Sequence, residues 1–143
     1  MRRATRADVD AVRSLVRAAY APWVPVIGRE PRPMTADYAR AIDEHVVEIL
    51  DDIAVLEMVA EPDCLLIVNI AVAPDHQGRG LGTQLLARAE AFARDAQLPA
   101  IRLYTNAAMT SNIALYARHG YVETHRERIA VGEIVHMRLT LRD

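Results

Sequence analysis

The chain contains no lysine: all 17 of its basic residues are arginine. That absence removes every lysine chemistry, from Schiff-base formation to the phosphate-binding lysine of a P-loop. With 24 alanines beside them, the arginines reflect a coding bias toward Ala and Arg rather than a device of mechanism. Cysteine is nearly absent as well. The single Cys64 cannot form an internal disulfide or build a zinc site alone, and it reads as a small buried hydrophobe in a strand. Long apolar runs are missing too. The longest, residues 64–72, is broken by Asn69 and is far too short to span a bilayer. Arg2, Arg3 and Arg6 lead into an amphipathic segment unlike a signal peptide, so a cytoplasmic location is expected. Neither sign of charge dominates: the net charge is −2 with both signs scattered, which leaves no basic footprint for nucleic acid. His76, His119, His125 and His136 fall at no metal-ligand spacing, and Ser111 has no evident His/Asp partners for a triad.

What is present is a globular composition, 52% hydrophobic and 25% charged, in a length of 143 residues that fits one domain over 1–143. Residues 1–5 read as a short edge strand. Thr5-Arg6-Ala7-Asp8 reads as a capping box, and Val9, Val12, Leu15, Val16 and Ala19 follow with helical spacing to about Tyr20. Residues 21–34 hold four prolines, Gly28 and the only tryptophan; Trp23, Val24, Val26, Ile27 and Met34 make this an ordered apolar loop rather than a linker. A second helix is expected from Thr35, as cap, to Glu44. Strands are predicted over 46–50, 53–60 and 65–73, the last apolar on both faces as a central strand would be. A helix over 82–97 buries Leu85, Leu86, Ala89, Phe92 and Ala93. A strand over 101–105, a short helix over 111–119 stopped by Gly120, and a closing hairpin over 121–127 and 133–141 complete the order. A mixed sheet with helices on both faces fits it.

The strongest local signal follows the central strand. Pro74-Asp75-His76 leads into Gln77-Gly78-Arg79-Gly80-Leu81-Gly82, where a helix starts. Three glycines at alternate positions let the backbone approach a ligand with its N–H groups turned inward, and the helix N-terminus adds unpaired donors and partial positive charge. Such a loop suits a pyrophosphate, with Arg79 at the rim. A Rossmann fingerprint would need glycine at Thr83, and a P-loop would need a lysine.

Gln77-x-x-Gly80-x-Gly82 after Asn69-Ile70-Ala71-Val72-Ala73-Pro74 resembles the acetyl-CoA signature of the GCN5-related N-acetyltransferases. Downstream, Asn112-x-x-Leu115-Tyr116-x-x-x-Gly120-Tyr121 is similar to that family's second cofactor segment, and the order of elements agrees over nearly the whole chain. The resemblance implies a mixed, mostly antiparallel sheet with a splayed central parallel pair, and an N-acetyltransferase that uses acetyl-CoA, without a metal, in a ternary complex. It places the donor's pantetheine arm in a gap between residues 69–73 and 101–105. Ile70, Ala71 and Val72 would line it, with a bulge near Asn69–Ile70, and Gln77, Gly78, Arg79, Gly80, Leu81, Gly82 and Thr83 would hold the pyrophosphate. Asn112 would bind pantetheine or cap its helix. A homodimer is compatible with this scheme.

Acetyl transfer to an amine needs a donor for negative charge on the carbonyl oxygen, a hydrogen bond or proton for the leaving thiolate, and a neutral amine. By resemblance, backbone N–H groups of the central strand meet the first need and Tyr116 the second. For the third, many relatives carry a glutamate on this strand where the present chain reads Leu66-Ile67-Val68. Either the base lies elsewhere, with Glu30, His45 and Glu48 as candidates that each also read as a solvated surface group, or the amine arrives neutral by losing its proton to solvent. By analogy with the family's layout, the loop 21–38 forms the acceptor wall and resembles a bacterial subgroup there. Trp23, Ile27, Met34 and Tyr38 with Arg29 and Glu30 would suit a small amphipathic amine or amino acid. The missing carboxylate keeps a rival open, an acyl-CoA-binding sensor with little turnover.

Overall fold

The computed structural model describes residues 1–141. A seven-stranded sheet runs through it in the order β1-β2-β3-β4-β5-β7-β6. The strands are β1 Arg2–Arg3, β2 Val46–Leu50, β3 Ala54–Ala60, β4 Leu65–Val72, β5 Ala100–Asn106, β6 Val122–Arg128 and β7 Glu133–Thr140. Among the described residues, only β4 and β5 pair in parallel. On one face lie α1 (Val9–Tyr20) and α3 (Tyr38–Glu44); on the other lie α4 (Leu81–Asp95) and α5 (Thr110–Arg118).

Local chemistry sets the element ends. Asp8 accepts a hydrogen bond from the Thr5 N–H at 2.8 Å, opening a 3-10 turn that feeds α1. The third helix starts at Tyr38, three residues later than its expected cap, because residues 32–34 form a 3-10 turn that Thr35 closes. Asp37 caps α3 instead, its carboxylate taking the Arg40 N–H at 3.1 Å. The expected loop over 21–34 is more regular than its prolines suggest. It carries the single-turn helix α2 (Val24–Ile27), ended by Gly28 at φ 93°.

Two cores clamp the sheet. Val12, Leu15 and Val16 of α1 pack with Tyr38, Val47, Ile49, Val55 and Ala71. Leu85, Leu86, Ala89 and Ala93 of α4 pack with Leu56, Met58, Leu65, Ile67, Ile101 and Leu103. Each fully buried large aliphatic chain contributes about 1.5–3 kcal/mol.

The irregularity that matters for the site lies in β4. Met58 pairs with Ile67 and Glu57 with Asn69, so Val68 is an extra residue without a partner. The bulge thus sits one residue before the expected Asn69–Ile70. It also changes which face the strand presents. Leu65 and Ile67 join the α4 core, whereas Ala71 joins the α1 core, and Asn69 turns the same way as Ala71. The parallel pairing of β4 with β5 ends here, at Ile67↔Leu103, while β5 stays with β7 as far as Asn106↔Ile134. The two central strands therefore part beyond Ile67 and leave a slit.

Candidate active site

The glycine loop is held at both ends. The Gln77 side chain donates to the Val72 carbonyl at 3.1 Å, tying the loop to the end of β4. Gly78 and Gly80 adopt φ of 77° and 79°, which L side chains rarely adopt, and a Cβ at either would meet nothing within 4 Å. The cradle is therefore open. Gly80 supplies no side chain to cap α4, so the first N–H groups of that helix face the cradle without a side-chain acceptor. Gly82 serves packing instead: a Cβ there would stand 3.0 Å from Leu115 Cδ2, so its absence lets α4 and α5 approach. Thr83 Oγ1 reaches His119 Nε2 at 3.1 Å across the same junction.

Two cavities meet at the slit. The larger, about 490 Å³, runs along the loop and is lined by Ile70, Ala71, Val72, Gln77, Gly78, Gly80, Leu81, Gly82, Thr83 and Asn112. Of the residues expected to hold the donor, only Arg79 is absent from that lining. His76 also lines it, and its buried Nδ1 has no hydrogen-bond partner among the described residues. The smaller cavity, about 210 Å³, lies on the open half of the sheet. Its walls are Ile27, Arg29, Arg32 and flanking prolines, the bulged segment 67–70, the end of β5, and the β6–β7 hairpin. Tyr20, Ile70, Met109, Asn112 and Tyr116 line both cavities and so mark their junction.

Tyr116 reaches this junction from α5. The residue is 8% exposed, and its ring is tilted against that of Tyr121 with centroids 6.1 Å apart. Burial pushes its phenol up to about 12. The hydroxyl has no hydrogen-bond partner among the described residues, yet it is not sealed, unlike the buried and unpartnered hydroxyl of Tyr121. It is free to donate to whatever enters.

Behind the bulge a polar chain holds Asn69, which is 3% exposed. Tyr20 donates to Asn69 Oδ1 at 2.9 Å, Asn69 Nδ2 donates to the Tyr38 hydroxyl at 3.2 Å, and Tyr38 donates to the Pro33 carbonyl. Burial raises both phenols well above the ordinary tyrosine range, so both stay protonated as donors.

The six residues expected to form one acceptor wall are divided. Ile27 and Arg29 line the smaller cavity, whereas Trp23 lines the loop-side one. Met34 and Tyr38 are buried behind the wall. Glu30 lies outside the cavity's lining and sits 3.7 Å from Arg17. The alternative bases lie elsewhere. Glu48 is not a solvated surface group: it is buried, and Arg88 grips it through two hydrogen bonds of 2.7 and 2.8 Å. His45 bonds the buried Glu57 at 2.7 Å through Nδ1. Sequence reasoning missed Tyr20, Arg32, Glu127 and His136. The last two sit on strands read only as a closing hairpin, and nothing local marks them.

Among the described residues, no group of His, Cys, Asp or Glu is placed to hold a metal ion, and no helix is long and apolar enough to cross a membrane.

Solved structures share the fold. The ribosomal-protein-S18-alanine N-acetyltransferase from Escherichia coli is 21% identical, covers 96% of this chain and 90% of its own, and gives a TM-score of 0.78. The PaiA N-acetyltransferase from Thermoplasma acidophilum, solved with coenzyme A, is 14% identical, with 94% and 95% covered and a TM-score of 0.77. A GNAT family acetyltransferase from Elizabethkingia anophelis with acetyl-CoA bound is 17% identical, with 71% and 80% covered and a TM-score of 0.62. No curated protein matches the chain. The family described as acetyltransferase (GNAT) matches residues 12–121. With the splayed β4–β5 pair and the glycine cradle already in place, that match shows the chain to be a member of the GNAT acetyltransferase family.

Proposed function

We propose that the chain transfers the acetyl group of acetyl-CoA to the amine of a small molecule or amino acid, by direct attack within a ternary complex. One observation carries this reading: a loop-side cavity ending in a glycine cradle meets a second cavity at the strand slit, with the free Tyr116 hydroxyl at the junction. Bound acetyl-CoA supplies an activated carbonyl and a thiol leaving group. The cradle at Gly78 and Gly80, with the first turn of α4, offers N–H groups to its pyrophosphate, and the unpartnered His76 Nδ1 has a place on the same wall. Backbone of β4 past the bulge, unpaired with β5, is available to the pantetheine arm and the carbonyl oxygen. Tyr116 donates a hydrogen bond to the departing sulfur.

The acceptor enters from the open half of the sheet. Arg29 and Arg32 line that cavity, and neither guanidinium has an ion-pair partner among the described residues. Ile27, Ile129 and Ile134 give the same cavity an apolar wall. A small amine bearing a carboxylate fits both features.

Thermal shift with CoA, acetyl-CoA and longer acyl-CoAs, followed by thiol release over a panel of amino acids and their decarboxylated amines, tests this. Stabilisation by acetyl-CoA and faster release with the amino acids is the expected outcome. No stabilisation by any CoA species overturns the reading. Binding without thiol release for any amine would favour the acyl-CoA sensor, the alternative that Val68 in place of a carboxylate supports.

A further inference from the structure

The proposed reaction needs a group that takes the acceptor's proton, because an alkyl amine reaches the enzyme as an ammonium ion with no lone pair to attack with. The structure supplies no such group on β4. The smaller cavity offers a short choice. Guanidinium groups have no acceptor atom, which removes Arg29 and Arg32, and phenols hold their proton near neutrality, which removes its tyrosines. Glu127 and His136 remain, and they are bonded to each other, His136 Nε2 to Glu127 Oε1, at 3.2 Å.

We propose that His136 is the general base of this chain and that Glu127 positions it. The inference rests on the acetyl-transfer reading above. His136 pairs across the sheet with Tyr104, the first residue of β5 beyond the last β4–β5 pair at Ile67↔Leu103. It therefore stands level with the mouth of the slit and with the bulge at Val68. Two strand spacings of about 4.8 Å, widened by the parting of β4 from β5, put its backbone more than roughly 10 Å from that of β4, which leaves room for the acceptor amine and a relaying water between them. Val135 and Met137 join the α4 core, so His136 between them turns to the opposite face. Tyr116 approaches from the α4 side. Proton acceptor and sulfur-binding hydroxyl thus stand on opposite faces of the slit, so the amine can lose its proton on one side while the thiolate leaves on the other.

The surroundings fix the ring. His125 of β6 stacks on it, with centroids 4.1 Å apart and planes 11° apart, and the Tyr104 ring lies 5.6 Å away. Arg126 of β6 is turned to Glu123 and Glu133 and leaves Glu127 to His136. Arg29 and Arg32 line the same cavity. With its Nε2–H donated to Glu127, the imidazole keeps its lone pair on Nδ1, which has no partner among the described residues. At 18% side-chain exposure the ring is open to water.

The chemistry balances without a further reagent. The ammonium gives one proton to Nδ1, which passes it to solvent. The freed nitrogen lone pair forms the C–N bond, and the C–S bond breaks with its electron pair going to sulfur. The nitrogen's remaining surplus proton ends on that sulfur, giving an amide and a free thiol.

The test compares two acceptors: the best alkyl amine of the panel, charged at pH 7, and hydroxylamine, already neutral there. His136→Gln is expected to lower kcat/KM by about 100-fold with the alkyl amine and far less with hydroxylamine, the alkyl amine rate recovering as pH rises. Glu127→Gln should show the same pattern with a smaller loss, and it carries the test if His136→Gln does not fold. The Kd for acetyl-CoA should not move in either variant. Equal losses with both acceptors at every pH, or wild-type kcat/KM with the alkyl amine, would overturn the assignment. A wild-type chain that acetyl-CoA fails to stabilise overturns the acetyl-transfer reading instead, and the base with it.

Discussion

Replacing Tyr116 with phenylalanine removes one hydroxyl from the meeting point of the two cavities and little else, since that hydroxyl bonds nothing within the described chain. The size of the effect follows from the phenol's surroundings. Burial pushes it up to about 12, and the leaving thiol of the proposed reaction has an ordinary value of about 8.5. Full proton transfer across that gap of about 3.5 pH units costs about 5 kcal/mol at about 1.4 kcal/mol each. Tyr116 therefore serves better as a hydrogen-bond donor to the departing sulfur than as the final source of its proton. A hydrogen bond to a charged group is worth about 1.5–3 kcal/mol, which converts to a fall in kcat of about 10- to 150-fold for Tyr116→Phe. Because the bond strengthens only as charge develops on sulfur, the Kd for acetyl-CoA should stay within about twofold. Thiol-release kinetics at saturating donor and acceptor, with Kd from calorimetry, separate the two quantities. An unchanged kcat, or a Kd weakened as much as kcat, would refute the role. The thermal midpoint should hold, since no buried partner is orphaned.

Gly80→Val forces a β-branched residue into a left-handed conformation, at a cost of about 1–2 kcal/mol, and fills the open cradle. Calorimetry should show acetyl-CoA affinity falling more than tenfold, with a thermal midpoint only a few degrees lower. Tyr20→Phe leaves the buried Asn69 Oδ1 without its donor, and urea unfolding should show a loss of about 1–3 kcal/mol. Arg102 donates to Glu61 through Nε and Nη2 at 2.6 and 2.8 Å and holds its carboxyl down at about 2, against an ordinary 4.5. A folded value below the unfolded one stabilises above the unfolded value and is lost as pH falls from there toward 2. With the pair partly exposed, solvent screening holds that contribution to about 1 kcal/mol. Glu61→Gln should therefore flatten the unfolding free energy between pH 5 and 2, and an unflattened curve would count against the pair.

Most of the fold was legible because its signals are local. Helical spacing from Val9 to Ala19, the apolar stripe from Leu85 to Ala93 and the turn residues between strands each mark an element without reference to the rest of the chain. The glycine cradle was legible for the same reason. What stayed hidden depends on register. A run such as Leu65-Leu66-Ile67-Val68 gives no sign that Val68 is unpaired, because every residue in it suits either face. Glu48 and His45 read as surface groups because only the folded chain shows what buries Glu48 and what His45 bonds. His136 carried no signal, since its significance comes from lying opposite Tyr104, itself placed by where β4 and β5 part.

That parting traces back to a single extra residue. Without Val68 in excess, β4 would keep its alternation, Asn69 would follow Leu65 and Ile67 into the α4 core, and an amide would be buried among Leu85, Leu86 and Met58. The bulge instead delivers Asn69 to Tyr20 and Tyr38, two phenols that burial keeps protonated. Their hydrogen bonds repay the desolvation of the amide only in this register, so they also hold the bulge where it is. The same turn of the strand brings Ile70 to the junction of both cavities. Asn69→Leu is therefore the sharpest probe of whether the slit depends on the bulge. If the polar chain holds the register, this variant should weaken acetyl-CoA binding although Asn69 lines only the acceptor side. Unaltered binding in a folded variant would show that the splay is set elsewhere, by β5 following β7.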